Sequence, residues 1–405
     1  MKTAVFGGDL FWSSIPYECL NVFHNLNSTL DCDLILFDKD IRLNKKFNGN
    51  EKYFFDVQQY KGVENLVTIK DWDEFYKISS NYDIILCSSK IAPKLRRPKD
   101  FRRRKRAAIG MWDVGGCDIL TDAVQFADAF FTKGEIWTEW LNVMGWRGHT
   151  ITTGCPHYDY FLDDASLHTG KPLGQEEFDV KYGLEPGEKR ILILPTNPSS
   201  HTEYFNENLK YLEQLCTLAK DKNIKLLLKT YPHDYLFFEK ESQYTGIYRR
   251  THGANMPQYE FLKKEFDDLI VIESQDHFSA IKFSDVIFNI SGSHVAWETF
   301  FTDSQCCSIN YEGQKFYKNL SYLPSYITLP DQHVNFPLNS VEEMLGDFKN
   351  KKRLCDPYFS RSFSLDKINH YMRVMEYGFH RVPRRAIKAY TRAQIALKES
   401  RKIPK

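Results

Sequence analysis

The chain of 405 residues predicts an α/β fold made of two doubly wound domains facing across a cleft. Three observations lead there. Short apolar runs recur along the chain and read as buried parallel strands. Helix-period segments separate them. Each polar cluster follows a strand at its carboxyl end, where open α/β sheets take their ligands. The length suffices for two such domains with full cores. The expected boundaries are 1–165 for the first domain, 166–364 for the second, and 365–405 for a basic helical tail that can cross back to the first.

The first domain opens with a strand at Thr3–Phe6, then Gly7-Gly8-Asp9 and a helix over about Pro16–Leu26. The glycines lack the full G-x-G-x-x-G spacing, so no dinucleotide is inferred. Asp33–Phe37 and Asp83–Cys87 are further buried strands. Asp71 and Asp73 flank Trp72 and mark a helix start. Asp31-Cys32-Asp33 has the form of an Asp-x-Asp metal motif, but it precedes its strand instead of ending it. In the run 94–106, KLRRPKDFRRRKR, nine of thirteen residues are Lys or Arg. It reads either as a solvated face or as a dock for phosphate-bearing acceptors or anionic lipid head groups. The strand Ala107–Met111 then leads to Trp112-Asp113-Val114-Gly115-Gly116. A carboxylate at that strand end can take a proton from an attacking hydroxyl, or merely cap the turn. A strand at 127–132, a helix over Glu135–Met144 and a short strand Thr150–Thr153 precede the turn Gly154–Asp159.

The second domain begins with the strand Arg190–Leu194 and the polar loop Pro195–His201, then a helix over about Glu203–Asp221. The strand Lys225–Lys229 ends in Thr230-Tyr231-Pro232-His233. Leu269–Ile272 is a strand leading to a polar turn with Asp276 and His277. The most informative stretch is Phe283–Phe301. It reads as a strand, the turn Ser291-Gly292-Ser293, and a helix beginning near His294. A strand feeding a helix through small residues gathers free N–H groups and the positive dipole end at one point, which suits a phosphate. Glu298 lies one turn deeper, where a carboxylate can accept from two ribose hydroxyls. The strand Gln305–Ile309 follows.

Composition narrows the function. A net charge of +1 gives no reason to expect nucleic acid. The nine cysteines show no disulfide framework and no zinc spacing, which points to a reducing compartment. No run of about 18 apolar residues is present, and the N-terminus lacks the apolar segment of a signal peptide. The expectation is a cytoplasmic protein, with the basic stretches 94–106 and 365–405 as candidates for peripheral contact with the inner membrane face. No metal and no cofactor is expected.

Several segments, taken in order, resemble the GT-B glycosyltransferases, and within them the branch of the CDP-glycerol glycerophosphotransferases of teichoic acid synthesis. Met111–Gly115 stands where that branch has Trp-His-Gly. Ala127–Phe131 stands at its A-D-x-x-x strand. Gly154-Cys155-Pro156-His157-Tyr158-Asp159 is similar to its Gly-x-Pro-Arg-x-Asp turn. Lys229–His233 lies at its basic His-Pro segment, and 284–293 at its S-D-x-x-x-T-D-Y-S-S. Two departures stand out: Asp113 replaces the family's His, and Asn289–Ser293 looks more like the Ser-Gly-Gly turn of nucleotide-sugar enzymes and UDP-sugar 2-epimerases.

The resemblance implies an inverting transfer of a sugar from a UDP, GDP or CDP donor to a hydroxyl of a glycan or lipid-linked acceptor. Ser291, Gly292, Ser293 and His294 would hold phosphate, and Glu298 the ribose. Thr196, Asn197, Ser200 and His201 would line the neighbouring strand end. His233, with Lys229 nearby, would steady the leaving pyrophosphate. Asp113 would be the general base, with Asp9, after Gly7 and Gly8, as its substitute. The alternatives are a CDP-polyol phosphotransferase, a UDP-sugar 2-epimerase, and a non-catalytic scaffold that keeps the cleft.

Overall fold

The computed structural model describes residues 1–7, 15–38, 63–89, 107–112, 127–143, 149–163, 165–194, 205–229, 256–273, 276–289, 298–309, 332–334 and 364–381. Apolar runs form two parallel sheets. The first holds β1 (Thr3–Phe6), β2 (Cys32–Phe37), β3 (Leu66–Ile69), β4 (Ile84–Ser88), β5 (Ala108–Trp112), β6 (Ala129–Thr132) and β7 (His149–Thr152). Their spatial order is β3-β2-β1-β4-β5-β6-β7. The second holds β8 (Arg190–Leu194), β9 (Lys225–Lys229), β10 (Ile270–Ile272), β11 (Val286–Asn289), β12 (Gln305–Ile309) and β13 (Gln332–Val334), in the order β10-β9-β8-β11-β12-β13. The described helices are α1 (Ile15–Asn27), α2 (Trp72–Ile78), α3 (Glu135–Val143), α4 (Pro156–Asp159), α5 (Gln175–Tyr182), α6 (Phe205–Lys222), α7 (Met256–Glu265), α8 (His277–Lys282) and α9 (Ser364–Arg381).

Both sheets reverse their strand order in the middle. In the first, β1 lies between β2 and β4, and in the second β8 lies between β9 and β11. Such a switch point leaves a crevice at the carboxyl ends of the two central strands, because the flanking connections diverge to opposite faces. In the second sheet, Leu194 and Asn289 are register partners at that end. In the first, Phe6 sits between Ile35 and Cys87.

Alternation along the second sheet divides its packing. Ile191, Ile193, Leu226, Leu228, Val286 and Phe288 pack on one face with Leu212 and Leu215 of α6 and Leu262 of α7. Leu192, Leu194, Leu227 and Ile287 point the other way and join a core continuous with the first sheet. The period of two expected of strands therefore assigns each residue to one of two cores. Buried aromatic residues tie the first sheet to its helices: Phe6 stacks on Phe75 at 4.4 Å and meets Trp72 edge-on at 5.5 Å.

Local signals account for the element ends. Asp71 caps α2, accepting from the Glu74 N–H at 2.9 Å, while Glu74 accepts from the Lys70 N–H at 2.7 Å. Gly183, at φ +63°, ends α5 in the left-handed region that glycine enters without strain. Asp33 accepts from the Tyr82 hydroxyl at 2.8 Å and pairs with Lys2 at 3.2 Å, so it is a structural carboxylate. The seven described cysteines are buried. Among the described residues no helix is long and apolar enough to cross a membrane, and no group of three His, Cys, Asp or Glu could hold a metal ion. The basic run 94–106 and the chain beyond Arg381 lie outside the described residues.

Two short strands, β3 and β13, are absent from the sequence reading, as are helices α7 and α8; His277 opens α8 instead of standing in a turn. The turn expected at Gly154–Asp159 contains a single helical turn, α4, with Pro156 at its first position.

The final helix packs on the first. Asn369 donates to the Asn25 carbonyl at 2.9 Å and to its side chain at 2.8 Å, and Thr29 donates to Asn369 at 2.8 Å. Buried Asp159 caps α9, accepting from the Ser364 N–H at 3.0 Å, the Ser364 hydroxyl at 2.9 Å and the Leu365 N–H at 3.0 Å. Asp159→Ala leaves those donors without an acceptor inside the protein. A loss of about 2–3 kcal/mol in unfolding free energy is expected, measured by urea denaturation.

Candidate functional site

Four side chains from distant parts of the chain meet between the two sheets. Glu18 comes from α1, Trp112 from the carboxyl end of β5, His157 from α4, and Glu298 from the residue before the 3-10 turn Thr299–Phe301. The local fold explains His157. Gly154, at φ +94°, turns the chain after β7, and Cys155 is extended before Pro156 starts α4. Consecutive residues of that turn then face different neighbours. His157 meets the carboxylates, Tyr158 stacks on Phe301 at 4.5 Å, and Asp159 holds α9.

The imidazole bridges two carboxylates. Nε2 lies 2.6 Å from Glu298 Oε1, and Nδ1 lies 3.2 Å from Glu18 Oε1. The Trp112 indole donates to Glu18 Oε2 at 3.3 Å. His157 is 8 % exposed, Glu298 4 % and Glu18 1 %, so water screens none of these contacts well. Phe278 of α8 meets the imidazole edge at 5.2 Å and stacks on Tyr160 at 4.2 Å, closing the site from the side of the second sheet. Oε2 of Glu298 is buried and has no hydrogen-bond partner among the described residues.

Charge follows from this geometry. Burial pulls the His157 pKa down, but the Glu298 charge, the hydrogen bonds to Glu18 and Glu298, and the Glu18 charge outweigh it and lift it to about 9. Burial pushes the Glu298 carboxyl up, while His157, through charge and hydrogen bond, with His277 and Lys229, holds it below its ordinary value. Lys229, the last residue of β9, loses hydration, which lowers its pKa, and the Glu298 carboxylate opposes that fall.

Three of the sequence-predicted residues are described. Lys229 and Glu298 share an electrostatic environment near the switch point of the second sheet. Gly7 lies at the end of β1, its N–H bonded to the Ile35 carbonyl at 3.0 Å. A Cβ there would stand 2.4 Å from Leu36 Cδ2, so a larger residue requires the end of that leucine side chain to shift. Gly8, Asp9, Asp113, Thr196, Asn197, Ser200, His201, His233, Ser291, Gly292, Ser293 and His294 lie outside the described residues. Chain order still relates them to the sheets: β8 ends at Leu194 and β11 at Asn289, just before two of the predicted clusters, and β5 ends at Trp112, next to Asp113.

Glu18 and His157 are absent from the sequence reading as site residues. Their pairing spans 139 residues, and the pairing of His157 with Glu298 spans 141, so no local spacing could announce either. The one signal was the family resemblance at His157, which stands where that branch has Arg.

A histidine whose pKa is higher folded than unfolded adds stability that is full below about 6.5 and disappears as pH rises through about 9. His157→Gln should therefore cost about 3 kcal/mol at pH 7. The difference between variant and wild type should narrow by pH 10, in urea denaturation at both pH values.

No protein-family model matches the chain, and no curated protein does. Solved structures match it along nearly its whole length. A UDP-GlcNAc 2-epimerase from Methanocaldococcus jannaschii aligns at 13 % identity and a TM-score of 0.55, over 93 % of this chain and 100 % of that one. The wall teichoic acid polymerase TagF aligns at 13 % identity and 0.56, over 94 % and 90 %. MnaA of S. aureus, solved with UDP, aligns at 12 % identity and 0.55, over 93 % and 97 %. At these identities the likeness is one of fold, and the chain has the GT-B fold of two Rossmann-like α/β domains.

Proposed function

We propose that the protein is a GT-B glycosyltransferase that moves a sugar, with inversion, from a nucleotide-diphosphate donor to a hydroxyl of a glycan or lipid-linked acceptor. The observation that carries this reading is Glu298. It is a buried carboxylate with one oxygen held by His157 and the other without a protein partner among the described residues. It follows the sequence Ser291-Gly292-Ser293, on the segment after a central strand of the second sheet. A ribose hydroxyl is the donor such an oxygen lacks, and the Ser/Gly turn supplies N–H groups for the diphosphate.

In this reading Asp113 takes the proton of the acceptor hydroxyl as it attacks the anomeric carbon, and Asp9 is the substitute base. His233 and Lys229 offset the negative charge that grows on the departing diphosphate. Thr196, Asn197, Ser200, His201 and His294 complete the donor side. The acceptor approaches from the first sheet, where Gly7 and Gly8 follow β1. The basic run 94–106 and the tail serve as contacts to an anionic membrane face that carries the acceptor.

The fold likeness to a wall teichoic acid polymerase and to UDP-GlcNAc 2-epimerases supports two second readings, CDP-polyol phosphotransfer and UDP-sugar 2-epimerisation. Nucleotide preference and the need for an acceptor separate them from glycosyl transfer. In calorimetric titration with UDP, GDP and CDP, one nucleotide should bind, and Glu298→Ala should weaken it by at least ~1 kcal/mol. Asp113→Asn should keep that affinity and lower the transfer rate by about 10²–10⁴. A wild type that binds none of the three nucleotides would overturn the donor site.

A further inference from the structure

We propose that His157 is a positioning residue for the donor ribose: backed by Glu18, it holds one oxygen of Glu298 so that the other faces a ribose hydroxyl. The assignment rests on the reading of Glu298 as the ribose carboxylate and goes beyond it by naming what orients that carboxylate.

Geometry carries it. A glutamate side chain has three rotatable bonds and two equivalent oxygens, so a fixed acceptor direction requires a second anchor. Here the anchor is the 2.6 Å contact from His157 Nε2 to Oε1. The opposite ring nitrogen faces Glu18 at 3.2 Å, and Glu18 is held in turn by the Trp112 indole at 3.3 Å. A neutral imidazole donates through one nitrogen only. Carboxylates on both sides therefore call for an imidazolium, which donates to both. The ring cannot turn away without abandoning a buried carboxylate, a change that is strongly destabilising. Phe278 and Tyr158 meet the ring edge-on, at 5.2 and 5.6 Å. Among the described residues, Lys229 and His277 also act on Glu298.

One oxygen is thus committed. The other is buried and without a hydrogen-bond partner among the described residues. A buried acceptor left bare is unfavourable, so it gains from a ligand hydroxyl more than a solvated one does. Glu18 belongs to α1 of the first domain. Ribose recognition by the second domain would therefore depend on a residue of the first.

The test compares UDP, GDP and CDP with their 2′,3′-dideoxy forms, by calorimetry. Wild type should bind the preferred ribonucleotide at least ~ten-fold more tightly than its dideoxy form. His157→Gln should bring the two within about two-fold of each other, by weakening the ribonucleotide while leaving the dideoxy form unchanged. A merely structural role would weaken both alike, and that result overturns the assignment, as does full discrimination in the variant. Wild type that binds no nucleotide overturns the donor reading and the assignment together. Discrimination that survives in Glu298→Ala overturns the ribose role of Glu298, and the assignment with it. If His157→Gln does not fold, wild type answers by nitrogen NMR of labelled histidine. The ribonucleotide should move the Nε2 resonance of the histidine protonated at both nitrogens, and the dideoxy form should not. Equal movement by both overturns the proposal.

Discussion

A single buried proton pair organises the middle of this molecule. The His157 ring has a carboxylate on either side, Glu298 at 2.6 Å and Glu18 at 3.2 Å, an arrangement that favours a proton on each nitrogen. Two negative groups and one positive group would be costly so far from water if any member were missing, since each ion would lose its hydration without compensation. Lys229 adds a second positive charge to the field at Glu298. The array demands that α1, α4 and the segment at Glu298 keep their places, and those three belong to opposite halves of the chain. Hydrophobic burial supplies most of the driving force for folding. The ionic array adds contacts that join Glu18 and His157 to Glu298 across the junction.

The two sheets differ in how they use their apolar residues. In the second sheet, neighbouring residues of β8, β9 and β11 point alternately into a core shared with α6 and α7 and into a core shared with the first sheet. One strand therefore serves two cores. The halves are joined by packing as well as by chain, with Tyr160 on Phe278 and Tyr158 on Phe301 as aromatic contacts at the junction. The switch point of each sheet sets where polar side chains can gather without disturbing either core.

Much of this was legible in the sequence, and the reason is local. Strands such as Arg190–Leu194 and Val286–Asn289 are apolar apart from Arg190 and Asn289 at their ends, because both their faces are covered. The capping of α2 by Asp71 was visible for the same reason, since donor and acceptor lie three residues apart. The edge strands β3 and β13 were not visible. Leu66–Ile69 is only partly buried, and Gln332–Val334 has three residues, two of them polar, so neither shows a buried-strand pattern. At the candidate site Glu298 stood out in the sequence from its position after Ser291-Gly292-Ser293, and the structure places it against His157. Glu18 and His157 did not stand out, because their meaning lies in contacts across 139 and 141 residues. A histidine inside a proline turn carries no mark of the carboxylates that will flank it.

Asp159 caps α9 from the same short turn that carries His157. The turn follows the last strand of the first sheet and α9 begins at Ser364, so two segments far apart in the chain are fastened to each other by one carboxylate. Any movement of the one segment must carry the other with it or break the three contacts to Asp159. His157 stands two residues from that carboxylate, so the turn that presents the imidazole to Glu298 is itself tied down by α9.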